Sequence, residues 1–331
     1  IIRVARDYAL EEFEYHGGVE AWILDDTAYP KKGTHSVGVG RQYCGVLGKQ
    51  ENCQVAVTIS LANELMAVPA AYRLYLPEEW ASDRGRRLVA GVPKEIVFET
   101  KTQIALAEID RLLAEGVAKA PVVMDAGYGR ATELRDALAE RGMEYVAAIR
   151  AETTVQVAGM KGSREHIAVD ELALSLPKAS WRQVWWRHGT KGEMQSRFAL
   201  LRVRTAKREP GRREERPLEW LLIEWPTNES APTKYWLSNL PAGTRIAKLV
   251  NLAQMRWRIE RDYEELKGEL GLDHYEGRGW LGFHHHGALC IAAYAFLVAE
   301  RARLSPPKPL AFLRPAPLPP GFRPRGSPSP A

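Results

Sequence analysis

Apolar and polar positions along the chain follow two rhythms. A polar lead-in with helical character runs to about Val19. EAWILDDTAYP then carries a short apolar run, Ala21 to Leu24, which ends in two acids and a turn and predicts a strand. VGVGRQYCG (37–45) and NCQVAVTISL (52–61) place β-branched residues on either side of GVLGKQ and predict a hairpin. AYRLYL (71–76), closed by Pro77, predicts a further strand. The period then becomes helical over 101–116, where Ala105, Ile109, Leu112 and Leu113 share a face and Gly116 marks the stop. APVVMD (120–125) predicts a buried strand, ATELRDALAERG (131–142) a helix and EYVAAI (144–149) the next strand. Three meandering strands followed by helix, strand, helix, strand predict an α/β fold on one mixed sheet.

From Val155 to Asn239 the texture changes. WRQVWW, RFALLRVR, LEWLLIEW and KYWLSNL are Trp-rich strand candidates, and a charged, turn-prone loop (204–217) separates them. They predict a β-rich insertion. Helical periodicity returns from about Ala247 to Leu270, and a short apolar helix is predicted from about Gly287 to Leu304. Ten prolines in the 27 residues from Ser305 predict a disordered or extended tail.

Composition narrows the class. The chain has 331 residues, 45% hydrophobic and 26% charged, which suits a globular protein with a sizeable core and excludes bulk disorder. No window approaches the roughly 20 apolar residues of a membrane span, and no secretory signal opens the chain. The first residue, Ile1, reads as a cut N-terminus. Cys44, Cys53 and Cys290 form no CxxC and leave an odd count, which fits a reducing cytoplasm better than a disulfide framework or zinc finger. The net charge of +5 owes four units to Lys308, Arg314, Arg323 and Arg325 in the acid-free tail. The other 304 residues carry +1, so any nucleic-acid surface must be a local patch. His284, His285 and His286 read as polar residues near the last helix, because adjacent positions do not converge on one metal.

Acids at strand ends carry the chemistry. Asp25, with Asp26 beside it, follows WIL, and Asp125 follows VVM. The carboxyl edge of parallel strands is where ligands collect. Taken singly, such an acid is more often a turn former or a helix cap; two of them, on the first and fourth strands, shift the balance. Paired carboxylates repel unless a cation lies between them, and Mg²⁺ is a natural one. On the helix at 247–270, Arg256, Glu260, Tyr263 and Lys267 fall on one stripe at 100° per residue. Leu252, Ile259, Leu266 and Leu270 form the adjoining stripe that would pack on the sheet. A salt-bridged, solvated helix face explains the Arg256–Glu260 spacing equally well.

WILDDTAYPKKGTHSVGVGRQYCG, VVMDAGYGR and MRWRIERDYEELKGELGLDHYEGR together resemble the three blocks of DDE transposases of bacterial insertion sequences. The likeness covers roughly Glu20 to Leu304. It is narrowest to the group whose catalytic core is interrupted by a β-strand insertion before the final Glu. That group's Y-x2-R-x3-E-x6-K signature falls on Arg256, Glu260 and Lys267, while its Tyr position holds Ala253. The acids are 100 and 135 residues apart, which leaves room for the insertion. The resemblance implies a ribonuclease-H-like mixed sheet flanked by helices and interrupted by a β-rich insertion. It divides the chain into a lead-in (1–19), a first core part (20–154), the insertion (155–244), a second core part (245–304) and the tail (305–331).

What the resemblance implies for function is specific. Asp25, Asp125 and Glu260 would be the metal-binding catalytic triad. Asp25 is preferred because the family acid stands two before Thr27, with Asp26 the alternative. Two Mg²⁺ ions about 4 Å apart, with Mn²⁺ as a substitute, would serve cleavage at element ends and strand transfer into target DNA. Arg256, Lys267, Lys31, Lys32, Arg130 and Tyr263 are the candidate DNA contacts. The Arg208, Arg212, Arg213 and Arg216 loop is a further one, diluted by Glu209, Glu214 and Glu215. Trp185, Trp186, Trp220, Trp225 and Trp236 are expected to be mostly core, with one free to stack on an unpaired base. The expected partners are double-stranded DNA and a second subunit, as a homodimer on paired ends, with no membrane, in a bacterial cytoplasm at the nucleoid. Two other readings stay open: a truncated remnant that only binds DNA, and a ribonuclease-H-like nuclease on another substrate.

Overall fold

A computed structural model of the chain describes residues 1–159, 166–189, 192–205 and 216–305. Arg208, Arg212, Arg213 and the proline-rich stretch beyond Ser305 lie outside the described residues.

The chain opens with helix α1 (Ile2–Tyr15) and strands β1 (Ala21–Pro30), β2 (Gly40–Cys44), β3 (Lys49–Ala62) and β4 (Ala67–Leu74). Short helices α2 (Glu78–Ser82) and α3 (Arg84–Val89) lead to α4 (Lys101–Ala114), β5 (Val122–Met124), α5 (Ala126–Gly129), α6 (Thr132–Glu140) and β6 (Tyr145–Ile149). Then come β7 (Thr154–Val157), β8 (Ile167–Ala168), α7 (Val169–Ser175), β9 (Arg182–Gly189), β10 (Gly192–Thr205), β11 (Glu219–Trp225) and β12 (Lys234–Ser238). Helices α8 (Ile246–Gln254), α9 (Trp257–Gly268) and α10 (Trp280–Arg303) complete the described chain.

One mixed sheet runs through it. Strands β4, β3 and β1 pair antiparallel, and β1, β5 and β6 pair parallel, which gives the ribonuclease-H-like order β4–β3–β1–β5–β6. The strands of the 155–239 region continue the same sheet, because β12 pairs antiparallel with β6 and is followed by β11, β10, β7 and β8. Polar side chains tie this extension to the core. Tyr145 donates to the buried Glu219 at 2.7 Å, with Arg135 3.6 Å from the same carboxylate. Gln254 donates to Glu224 at 2.9 Å.

Strand alternation sorts the core into two faces. Trp22 and Leu24 join Val122 and Met124 in the cluster beneath α4 and α6. Ala21 and Ile23 join Val123, Leu249, Leu252 and Ile259 in the cluster beneath α8 and α9. Capping explains where α4 begins: Thr100 and Gln103 form a reciprocal capping box.

Four expected boundaries move. Strand β1 does not end at the acids but continues to Pro30, because β3 pairs with it along its whole length. Strand β4 starts at Ala67 and ends at Leu74, and Pro69, which has no N–H to give, faces Ser60 beside the register shift between Ile59 and Ser60. The helix expected over 247–270 is two helices, joined at Met255 and Arg256 by a turn in which Met255, Arg258 and Ile259 bond three residues back. Helix α10 begins at Trp280, since His284 and His286 satisfy themselves on the carbonyls of Trp280 and Gly271 and do not interrupt it. Contrary to the composition argument, α10 is long and apolar enough to cross a membrane; here its buried face packs on α1 and β4.

Candidate functional site

The parallel register of β1 and β5 pairs Trp22 with Val122, Ile23 with Val123 and Leu24 with Met124. The next position on each strand is therefore Asp25 and Asp125. By alternation each follows its Ile23 or Val123 neighbour onto the face covered by α8 and α9. Asp26 follows Leu24 to the other face, where Lys101 of α4 meets it at 2.7 Å. Asp25 sits within β1, yet beside β5 it marks the end of the parallel pairing.

Asp125 is also a helix cap, the ordinary role of an acid after a strand. Its Oδ1 accepts the Tyr128 N–H at 3.0 Å, and its carbonyl accepts the Gly129 N–H at 2.7 Å. The tight α5 turn depends on Gly129, where a Cβ would lie 2.0 Å from the Ala148 carbonyl oxygen of β6. The glycine of VVMDAGYGR thus lets α5 lie against the sheet and holds Asp125 level with Asp25.

Arg256 joins the acids. Its guanidinium forms an ion pair with Asp25 and donates to Glu260 at 3.3 Å. Burial pushes the Asp25 carboxyl up to about 6, opposed by Arg256 and reinforced by Asp125. Burial works to lower the Arg256 pKa, but Asp25, Asp125 and Glu260 outweigh it and the net shift is upward. Glu260 is on the same side of the sheet as Asp25, with its side chain largely exposed. The next acid along α9, Asp262, turns inward instead, accepts from Tyr294 of α10 at 2.8 Å and is pushed up to about 7 by burial.

The other expected contacts are distributed unevenly. Lys267 donates to the Ala28 carbonyl at 3.1 Å and lies 5.2 Å from the Tyr29 ring; burial lowers its pKa. Lys31 donates to the Tyr275 carbonyl and is likewise lowered by burial. Lys32 and Arg130 are exposed. Tyr263 is inside, its hydroxyl buried beside Thr58 and close enough to Asp25 to feel its charge. Sequence reasoning passed over Tyr128, whose buried hydroxyl has no hydrogen-bond partner and feels Asp26, Asp25 and Asp125. Its place in the DAGYGR stretch, three after the acid, was the available signal.

In the 155–239 region, Trp236 is buried, and Trp186 and Trp220 pack partly buried on the α8 face. Trp225 stacks edge-on against Trp181, whereas Trp185 is 46% exposed. Arg216 is held by Asp136.

As the side chains stand, no three acids, histidines or cysteines among the described residues form a metal cage. The donor set nevertheless suits a hard divalent ion. Asp25 and Asp125 are level on one face, a guanidinium already pairs with Asp25, and the buried Tyr128 hydroxyl, within electrostatic reach of both acids, lacks a partner.

Two family profiles match this chain. One, described as DDE superfamily endonuclease, covers residues 3–193; the other, Transposase DDE domain, covers residues 99–296. A protein from Microchaete diplosiphon, named as the probable transposase for insertion sequence element IS701, is 28% identical over 259 residues. That alignment takes in 76% of this chain and 60% of the relative, so the chain spans less than two thirds of that protein. With each family profile matching more than half of its length and an α/β sheet of ribonuclease-H-like order beneath the acids, the chain belongs to the DDE transposase and endonuclease superfamily.

Proposed function

We propose that this chain is the catalytic portion of a transposase that cuts DNA at insertion-sequence ends and joins the exposed 3′ end to target DNA. The observation that carries this is the level placement of Asp25 and Asp125 on one face of adjacent parallel strands, with Glu260 brought alongside through Arg256. Asp25, Asp125 and Glu260 would hold the metal, Mg²⁺ or Mn²⁺. A pair of such ions, when bound, supplies activation of the attacking oxygen and neutralisation of charge at the leaving 3′ oxygen. The protein contributes position and charge.

Arg256 and Lys267 line the same side of the site and would bind the phosphates flanking the reacting bond. Lys31, Lys32 and Arg130 lie after the first two acids in sequence and would extend that contact along the backbone. Tyr263, being buried, would support the site from beneath. Residues 20–154 and 245–304 would form the catalytic core and residues 155–244 the insertion. The partners would be double-stranded element ends, target DNA and a second subunit, in a bacterial cytoplasm at the nucleoid.

The test is Mg²⁺-dependent nicking and joining of element-end DNA by the wild-type chain and by Asp125→Ala. Loss of both reactions with DNA binding retained supports the reading. Equal nicking by both proteins refutes it, and nicking without any joined product points to a nuclease acting on another substrate.

A further inference from the structure

Arg256 is placed to do more than contact phosphate. It sits in the overwound turn between α8 and α9, and its guanidinium reaches two of the three acids at once. In this arrangement both oxygens of Asp25 already carry a donor: Oδ1 takes the Asp26 N–H at 2.8 Å and Oδ2 takes Arg256. Asp125 Oδ1 is engaged by the α5 cap. Glu260, tethered by Arg256, keeps 64% of its side chain in solvent. The neighbouring cations have other attachments, Lys267 on Ala28 and Lys101 on Asp26 across the sheet.

Resting on the three-acid reading above, we propose that Arg256 is a counter-ion gate. In the DNA-free chain its guanidinium takes the place among the acids that a divalent ion needs, and a DNA phosphodiester draws it away. The physical basis is competition. A guanidinium and a divalent ion cannot share the same carboxylate oxygens without strong repulsion. A phosphodiester offers the planar fork of arginine a partner of matching geometry, so the exchange keeps the cation paired while freeing Asp25 and Glu260. Because coupling between two ligands is reciprocal, DNA should tighten metal binding and metal should tighten DNA binding.

The experiment reads Mn²⁺ binding to the chain by the loss of the free-ion electron paramagnetic resonance signal, without reference to activity. Arg256→Gln should bind Mn²⁺ roughly tenfold more tightly than wild type, within the usual range of such couplings. Arg256→Lys, which retains a cation but cannot fork between two acids, should show a smaller gain. Arg261→Gln, which removes an exposed charge from the adjoining helix α9, should match wild type. A duplex oligonucleotide of random sequence should tighten Mn²⁺ binding to wild type and do so less for Arg256→Gln. If neither Arg256 variant gains affinity while Asp25→Asn still weakens binding, the gate is wrong and the metal site stands. An equal gain in Arg261→Gln also overturns the gate, since bulk charge would then explain it. If Asp25→Asn changes nothing in either background, the three-acid reading falls and the gate with it. Should Arg256→Gln not fold, the Arg256→Lys comparison decides alone.

Discussion

Asp25 and Asp26 are consecutive in β1 and yet belong to opposite faces of the sheet: Asp25 pairs with Arg256 beside α9, and Asp26 pairs with Lys101 of α4 at 2.7 Å. Adjacent residues on a strand cannot share a site. The two therefore separate cleanly by mutation. Asp25→Asn should reduce DNA nicking by more than about 100-fold, beyond what loss of a supporting partner costs a metal centre. Asp26→Asn should leave nicking within a few-fold and shift stability by about 1 kcal/mol or less, as a part-exposed ion pair does. Nicking rates and denaturant melts of both variants check this; the reverse ranking would move the site to the α4 face.

Gly129 should tolerate no side chain. A Cβ there stands 2.0 Å from the Ala148 carbonyl oxygen, and backbone cannot rotate away as a side chain can. Gly129→Ala should cost about 3 kcal/mol or more. At Gly127 the same addition meets only the Asp125 carboxylate, at 3.1 Å, and should cost much less. Thermal melts of the pair, side by side, decide whether α5 needs that close approach.

Glu219 anchors the strands of the 155–239 region to the core. It is 2% exposed, accepts from Tyr145 at 2.7 Å and lies 3.6 Å from Arg135, itself buried. Removing the acid strands a buried cation, so Glu219→Ala should destabilise the chain by about 3–5 kcal/mol. Urea unfolding measures this, and a loss below 1 kcal/mol would show that the pair contributes little.

His284 should give stability a pH dependence of known sign. Its Nε2 accepts the Leu74 N–H at 3.3 Å and its Nδ1 contacts the Trp280 carbonyl at 3.0 Å, a pattern that requires the neutral ring. Burial lowers its pKa from the usual 6.5. The unfolded chain then binds the extra proton first, so the His284 contribution is complete above about pH 6.5 and is lost as pH falls below it. Unfolding midpoints of wild type and His284→Asn across pH 5.5–7.5 should converge towards the acid end. Parallel curves would contradict the assignment.

Much of this was legible in the residues alone. Periodicity located α1, the β2–β3 hairpin, α4, β5, α6 and β6 close to their true places, because each buries a regular stripe and is punctuated by glycine, proline or a cap. The wheel of the last core helices placed Arg256, Glu260 and Lys267 together, and Arg256 and Glu260 do touch. Boundaries failed where a partner decided them. Strand β1 runs on through two acids because β3 supplies its hydrogen bonds, and the 247–270 helix overwinds at Met255 and Arg256, where Arg256 meets Asp25. Tyr128 carries no signal in the apolar pattern alone, because an aromatic in a short turn has no period.

The order of residues therefore determined which segments are strands and helices, since those follow from local spacing and burial, and its resemblance to a known family singled out the three acids. Only the folded sheet sent Asp25 and Asp26 to different cations on opposite faces, and only there did Arg256 meet Asp25 and Glu260 together. The reason is that a strand's facing depends on which neighbours cover each side, and an electrostatic partner 231 positions away leaves no mark on local pattern.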